Sequence, residues 1–148
     1  NLPNYGIISE NPQLFDINCG PVGTNAGGPQ GANADWIHLN AINYNPHLDQ
    51  IVISSRYQSE IFVIDHSTTT EEAAGHTGGN SGKGGDFLYR WGNPQNYGRG
   101  SEYDQILYHQ HGVNWVDPTY PDILSLNLLN ATAVSYFVYK YYIVIYVL

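Results

Sequence analysis

An all-β fold is what this sequence predicts. Apolar and polar residues alternate in short runs separated by turn signals, and 16 glycines and 8 prolines punctuate 148 residues. The 13 tyrosines add the aromatic enrichment expected of strands, and nowhere do apolar residues recur at helical spacing. The length suits one domain with a real core and is too short for two. With 13 acidic against 5 basic residues the net charge is -8, which argues against nucleic acid or an anionic membrane surface as partner. Cys19 is the single cysteine, so neither an internal disulfide nor a cysteine-based zinc site is available. The chain starts without methionine and shows no leader, which reads as a piece of something longer.

From Asn1 to Asn33 the composition is loop-like, with short strands expected at the apolar spots Tyr5–Ile8 and Leu14–Ile17. A strand is expected over about Trp36–Tyr44, a turn at Asn45–Asp49, a second strand over Gln50–Arg56 and a third over Ile61–Asp65. Three strands with tight connections make an antiparallel meander. Residues His66–Asp86 form a polar, Gly-rich excursion expected to be a mobile surface loop. Its run from Gly75 to Gly85 invites a phosphate-loop reading, but Thr77 stands where the first glycine belongs and Gly84 where a hydroxyl must hold magnesium. Phe87–Trp91 gives a fourth strand and Ile106–Val116 a fifth. The tail from residue 126 changes character: Phe137–Leu148 is apolar on both faces, too short and too interrupted by Lys140 for a membrane helix, and reads as a β-strand.

Three places put costly polar groups into half-buried strand patterns. Alternation sets Trp36, His38, Asn40 and Ile42 on one face, away from Ile37, Leu39 and Ala41. In the next strand Val52, Ser54 and Arg56 share a face, with the guanidinium at the strand end. His109 and His111 share a face if Leu107–Val113 is extended. Each has a plainer reading: Arg56 as a surface cation paired with Glu60 or Asp35, His38 as a satisfied core histidine, the two later histidines as structural. As chemistry, His38, His109 and His111 suit either a hydrolytic zinc site or nucleophilic catalysis with one imidazole attacking and another orienting. Asp104, Asp117 and Asp122 read as solvated turn residues, and Trp36, Trp91 and Trp115 as packing. Tyr57, Tyr97, Tyr103 and Tyr108 are candidates for lining an aromatic pocket.

Taken together, Asp35-Trp36-Ile37-His38-Leu39-Asn40-Ala41, Ser54-Ser55-Arg56, Gly84-Gly85-Asp86-Phe87-Leu88-Tyr89-Arg90-Trp91-Gly92-Asn93-Pro94 and Gln110-His111 resemble the arylsulfate sulfotransferase family. The similarity runs from about Ala34 to Asp122, and its order and spacing make it far more specific than any one piece. It implies a partial β-propeller over residues 1–125, about three blades of a six-bladed parent, followed by an atypical tail at 126–148. It also implies a periplasmic or secreted enzyme that moves a sulfuryl group from a phenolic sulfate to a phenol. That family reaction is ping-pong, through a sulfated histidine, with no nucleotide sulfate donor, no metal and no other cofactor. By motif, His111 matches the nucleophile, His38 and Arg56 the groups that bind the sulfuryl oxygens, and Asn40 a polar neighbour, with His109 a second substrate-binding candidate. A further family histidine has no match before Ala34, and the pattern ends after Leu124. The tail is therefore expected to be a truncation or a shifted reading frame, which the coding DNA would test. An open propeller exposes unpaired edges, so the chain alone is expected to be inactive. A non-catalytic propeller module that binds a partner is the remaining expectation.

Overall fold

The computed structural model describes residues 6–17 and 37–115, together with the backbone of two strands near the C-terminus. Four strands form one antiparallel sheet in the order β1-β2-β3-β4: β1 Leu39–Asn45, β2 Gln50–Ser55, β3 Glu60–Asp65 and β4 Tyr89–Trp91. Almost no helix accompanies them; α1, Thr70–Ala73, is a single turn closed by a capping box between Thr69 and Glu72. The all-β expectation and the meander therefore hold in the described residues.

Local chemistry sets the turns. Between β1 and β2 the Asn45 carboxamide oxygen accepts from the amides of His47 and Leu48 (2.9 and 3.1 Å), and Asp49 takes a left-handed backbone with φ 52°. Between β2 and β3 the Ser59 amide returns to the Arg56 carbonyl at 3.2 Å, with Ser59 itself at φ 55°. The Gly-rich excursion after β3 is closed on itself. Asp65 accepts from the amides of Ser67 and Ser81, and His76 Nδ1 lies 2.6 Å from the Asp86 carboxylate.

Register decides which residues face together. Ala41 opposes Ser54, Val52 opposes Val63, Ser54 opposes Ile61, and Ile61 opposes Trp91. On that face Val52, Ile61 and Val63 are buried with Leu107 and Val113, and Trp91 and Trp115 pack against them. Each fully buried aliphatic side chain there contributes roughly 1.5–3 kcal/mol. The opposite face carries Phe62, stacked on Phe87 at 4.5 Å, with Phe15 edge-on to both. The Arg90–Glu60 pair lies in the same region at 2.6 Å, with Glu60 fully buried. Arg90 also donates to the carbonyls of Pro12 and Leu14, which fastens the leading segment to the sheet.

Several expectations are corrected. Of the strand expected over Ile106–Val116, the described part, residues 106–115, forms none: His109 and Gly112 have φ of 50° and 76°, and within it only a single bridge forms, at His111. A left-handed residue breaks the two-residue alternation, so His109 and His111 do not share a strand face. β1 starts at Leu39, because His38 is itself left-handed at φ 50°. An irregularity then falls between Leu39 and Ala41, making Asn40 the extra residue. That slip turns Ala41 and Asn43 to the core while Leu39, Ile42 and Tyr44 stay exposed, the reverse of an apolar inner face. The leading segment contains a 3-10 turn, Ile8–Glu10, and no strand within residues 6–17. Where one C-terminal strand was expected there are two, β5 Ser135–Tyr139 and β6 Tyr142–Tyr146, paired antiparallel as a separate sheet. Cys19, Asp35, Trp36, Asp117 and Asp122 lie outside the described residues. Within the described residues, no helix is long and apolar enough to cross a membrane.

Candidate active site

The β2–β3 turn, residues 56–59, carries Arg56 and Tyr57 and is stitched to its surroundings from two sides. On one side the Arg56 amide donates to the His38 carbonyl at 3.0 Å, and the Ser55 hydroxyl donates to the Ile37 carbonyl at 2.6 Å. On the other, the His109 amide donates to Ser59 Oγ at 3.2 Å. Gln110, next in the chain, is buried and drives its carboxamide between the two strands. Its Nε2 donates to the carbonyls of Ser55 and Glu60 at 3.0 and 2.9 Å and lies 3.1 Å from Ser54 Oγ. Asn40 closes the arrangement by donating to the Gln110 carbonyl at 2.7 Å. Segments 37–40, 54–60 and 109–110, far apart in sequence, thus meet in one place.

Side chains converge there on the ring of Tyr57. The His38 imidazole lies edge-to-face with it at 4.9 Å between centroids, the His109 imidazole at 6.0 Å, and the Arg56 guanidinium carbon sits 4.9 Å from its centre. Partial burial and the charge of Arg56 lower the pKa of His109, in that order of weight, so the neutral imidazole is favoured near pH 7. Glu60 does not serve Arg56, since its carboxylate is taken by Arg90 and Asn96. Burial pushes Glu60 upward against the pull of Arg90. A cationic guanidinium beside two imidazoles gives a site suited to an anionic group.

Of the residues expected at the site, His38, Arg56 and His109 are brought together directly and Asn40 through Gln110. His111 follows Gln110 immediately, is exposed, and takes no part in the ring contacts around Tyr57. Among the described residues no group of three or more His, Cys, Asp or Glu side chains is gathered as a metal site, so the zinc arrangement on His38, His109 and His111 is not formed. Of the four tyrosine candidates only Tyr57 belongs here. Tyr97 lies against Arg90 at 4.1 Å, and Tyr103 and Tyr108 are exposed. Gln110 was read only as the neighbour of a histidine; a carboxamide amid small and aromatic residues gives no sequence signal that it will be buried and clamp a turn.

The model of the arylsulfotransferase (ASST) family matches residues 15–130. The chain belongs to the arylsulfotransferase family. No curated protein and no solved structure matches it. The matched span contains His38, Asn40, Arg56, His109 and His111, together with the whole four-stranded sheet. Membership makes sulfuryl transfer between small molecules the activity to account for.

Proposed function

We propose that this arylsulfotransferase chain carries part of an active site that moves a sulfuryl group from a phenolic sulfate ester to a phenol through a sulfohistidine, without a nucleotide donor. The observation that carries the reading is the convergence of Arg56, His38 and His109 on one ring within a chain of this family. In the first half-reaction a neutral imidazole nitrogen attacks sulfur, the S–O bond to the aryl group breaks, and a phenoxide departs. His38, when protonated, gives the departing oxygen its proton. In the second, the acceptor phenol loses its proton to His38, its oxygen attacks sulfur and the N–S bond breaks, returning a neutral histidine. Arg56 meets the charge that spreads over the sulfuryl oxygens as the bonds loosen, which is worth a few kcal/mol in a preorganised site. By motif the nucleophile is His111. The lowered pKa of His109 beside Arg56 favours His109 as the alternative, since a neutral imidazole is the attacking form.

The meander sheet fits one blade of a β-propeller. About three blades over residues 1–125, from a six-bladed parent, is the corresponding proposal for the fold, with 126–148 as an atypical tail. Family resemblance also supports a periplasmic or secreted setting. Multiple turnover is expected to need the remaining blades, so the test reads the first half-reaction, which involves only the donor and the residues named. The 148-residue chain is incubated with 4-nitrophenyl sulfate without acceptor, then digested and sequenced by tandem mass spectrometry. One sulfo group on His111 is expected; the same group on His109 would reassign the nucleophile. Absence of any adduct, with no nitrophenol released, would instead favour a module that binds without catalysis.

A further inference from the structure

Arg56, His38 and His109, three groups that carry or gain positive charge, are held close together around one side chain. Glu60, the acid nearest Arg56 in sequence, is fully buried and paired with Arg90. What they share is Tyr57. An aromatic ring offers a negative face to a guanidinium and suits edge-to-face contacts with other rings. Both histidines reach it from left-handed backbone, at φ 50° each. Such strain in non-glycine residues persists only where the surroundings enforce it, and it concentrates at functional sites. The Tyr57 hydroxyl makes no hydrogen bond among the described residues, so it is the ring that matters here.

We propose that Tyr57 is the positioning residue of the anion-binding site, its ring holding the Arg56 guanidinium and the His38 and His109 imidazoles in one cluster. What the cluster is for rests on the sulfuryl-transfer reading; that Tyr57 assembles it does not. Removing the π face while keeping bulk releases the guanidinium and both imidazoles, and an anion then meets scattered groups.

The test is an NMR titration of the 148-residue chain with inorganic sulfate, following the imidazole ring protons of His38 and His109. The wild type is compared with Tyr57→Phe and Tyr57→Leu. The wild type and Tyr57→Phe are expected to show the same ring-current shifts at both histidines and sulfate affinities within about twofold of each other. In Tyr57→Leu those shifts fall to free-histidine values and sulfate binds about tenfold more weakly, while the thermal midpoint stays close to wild type. Tyr57→Met, of similar volume without a π face, replaces the leucine variant if that one does not fold. Retention of shifts and affinity without an aromatic ring would overturn the assignment, as would an equal loss in Tyr57→Phe. Should the wild type itself bind no sulfate, the anion-site reading fails, and Tyr57 is judged on the ring-current shifts alone.

Discussion

Replacing Gln110 by leucine tests whether the buried carboxamide, rather than apolar packing, holds the site segments together. Its Nε2 is shared between the carbonyls of Ser55 and Glu60, at 3.0 and 2.9 Å, where both residues are fully buried. Leucine fills much of the space and supplies no donor. A buried acceptor left without its partner costs about 1–3 kcal/mol. Two are affected, and the substitution also removes Gln110 Oε1, a buried oxygen with no partner among the described residues. The balance is a loss of about 2–3 kcal/mol. Urea unfolding followed by tryptophan fluorescence reads it, because Trp91 and Trp115 both pack on this core. Gln110→Glu gives an internal check on sign. A protonated carboxyl still donates once, whereas a carboxylate repels both carbonyls, so its penalty grows as pH rises through the raised pKa of the buried acid. A change below about 0.5 kcal/mol in the leucine variant would refute the argument. So would a glutamate penalty that shrinks as the acid ionises.

Arg90→Met leaves the fully buried Glu60 without its cation and should cost about 3–5 kcal/mol by urea unfolding, with much of the loss recovered in the double variant Arg90→Met/Glu60→Leu. At Gly92, with φ 133°, a methyl group would stand 2.3 Å from the Ser59 carbonyl oxygen, so Gly92→Ala should lower stability by more than about 1 kcal/mol and shift the His109 amide signal. Because the folded pKa of His109 lies below its ordinary 6.5, stability should rise as pH climbs from that lowered value through 6.5 and level off above it. His109→Gln should flatten this stretch of the pH–stability curve, and Arg56→Gln should move the His109 titration part of the way back upward, as read by NMR.

Turn chemistry and alternation were enough to locate the meander. Asn45-Pro46, the Val-Ile runs and Gly92-Asn93-Pro94 bracket β1 to β4 within a few residues, because strand pairing here is local and each turn carries its own side-chain signal. Inner and outer faces of β1 were misjudged for a physical reason. Its inward residues Asn40 and Asn43 find partners in Gln110 and Trp115, so polar groups are affordable inside while Ile42 and Tyr44 remain exposed. The slip at Asn40 and the left-handed turns at His38 and His109 have no reliable sequence cue, since histidine tolerates that conformation without demanding it. His38 and Arg56 were legible as costly groups in a strand pattern. Tyr57 stood among four tyrosine candidates with nothing in the sequence to single it out, because its place depends on contacts between segments more than fifty residues apart.

Glu60 faces two ways, and that has a mechanical consequence. Its main-chain oxygen anchors the loop bearing the histidine pair, while its carboxylate grips the arginine that clasps Pro12 and Leu14. Clipping the leading segment is therefore expected to quicken amide exchange at Gln110, on the far side of the sheet. Communication between the two regions needs no moving domain, only one glutamate under load from both ends.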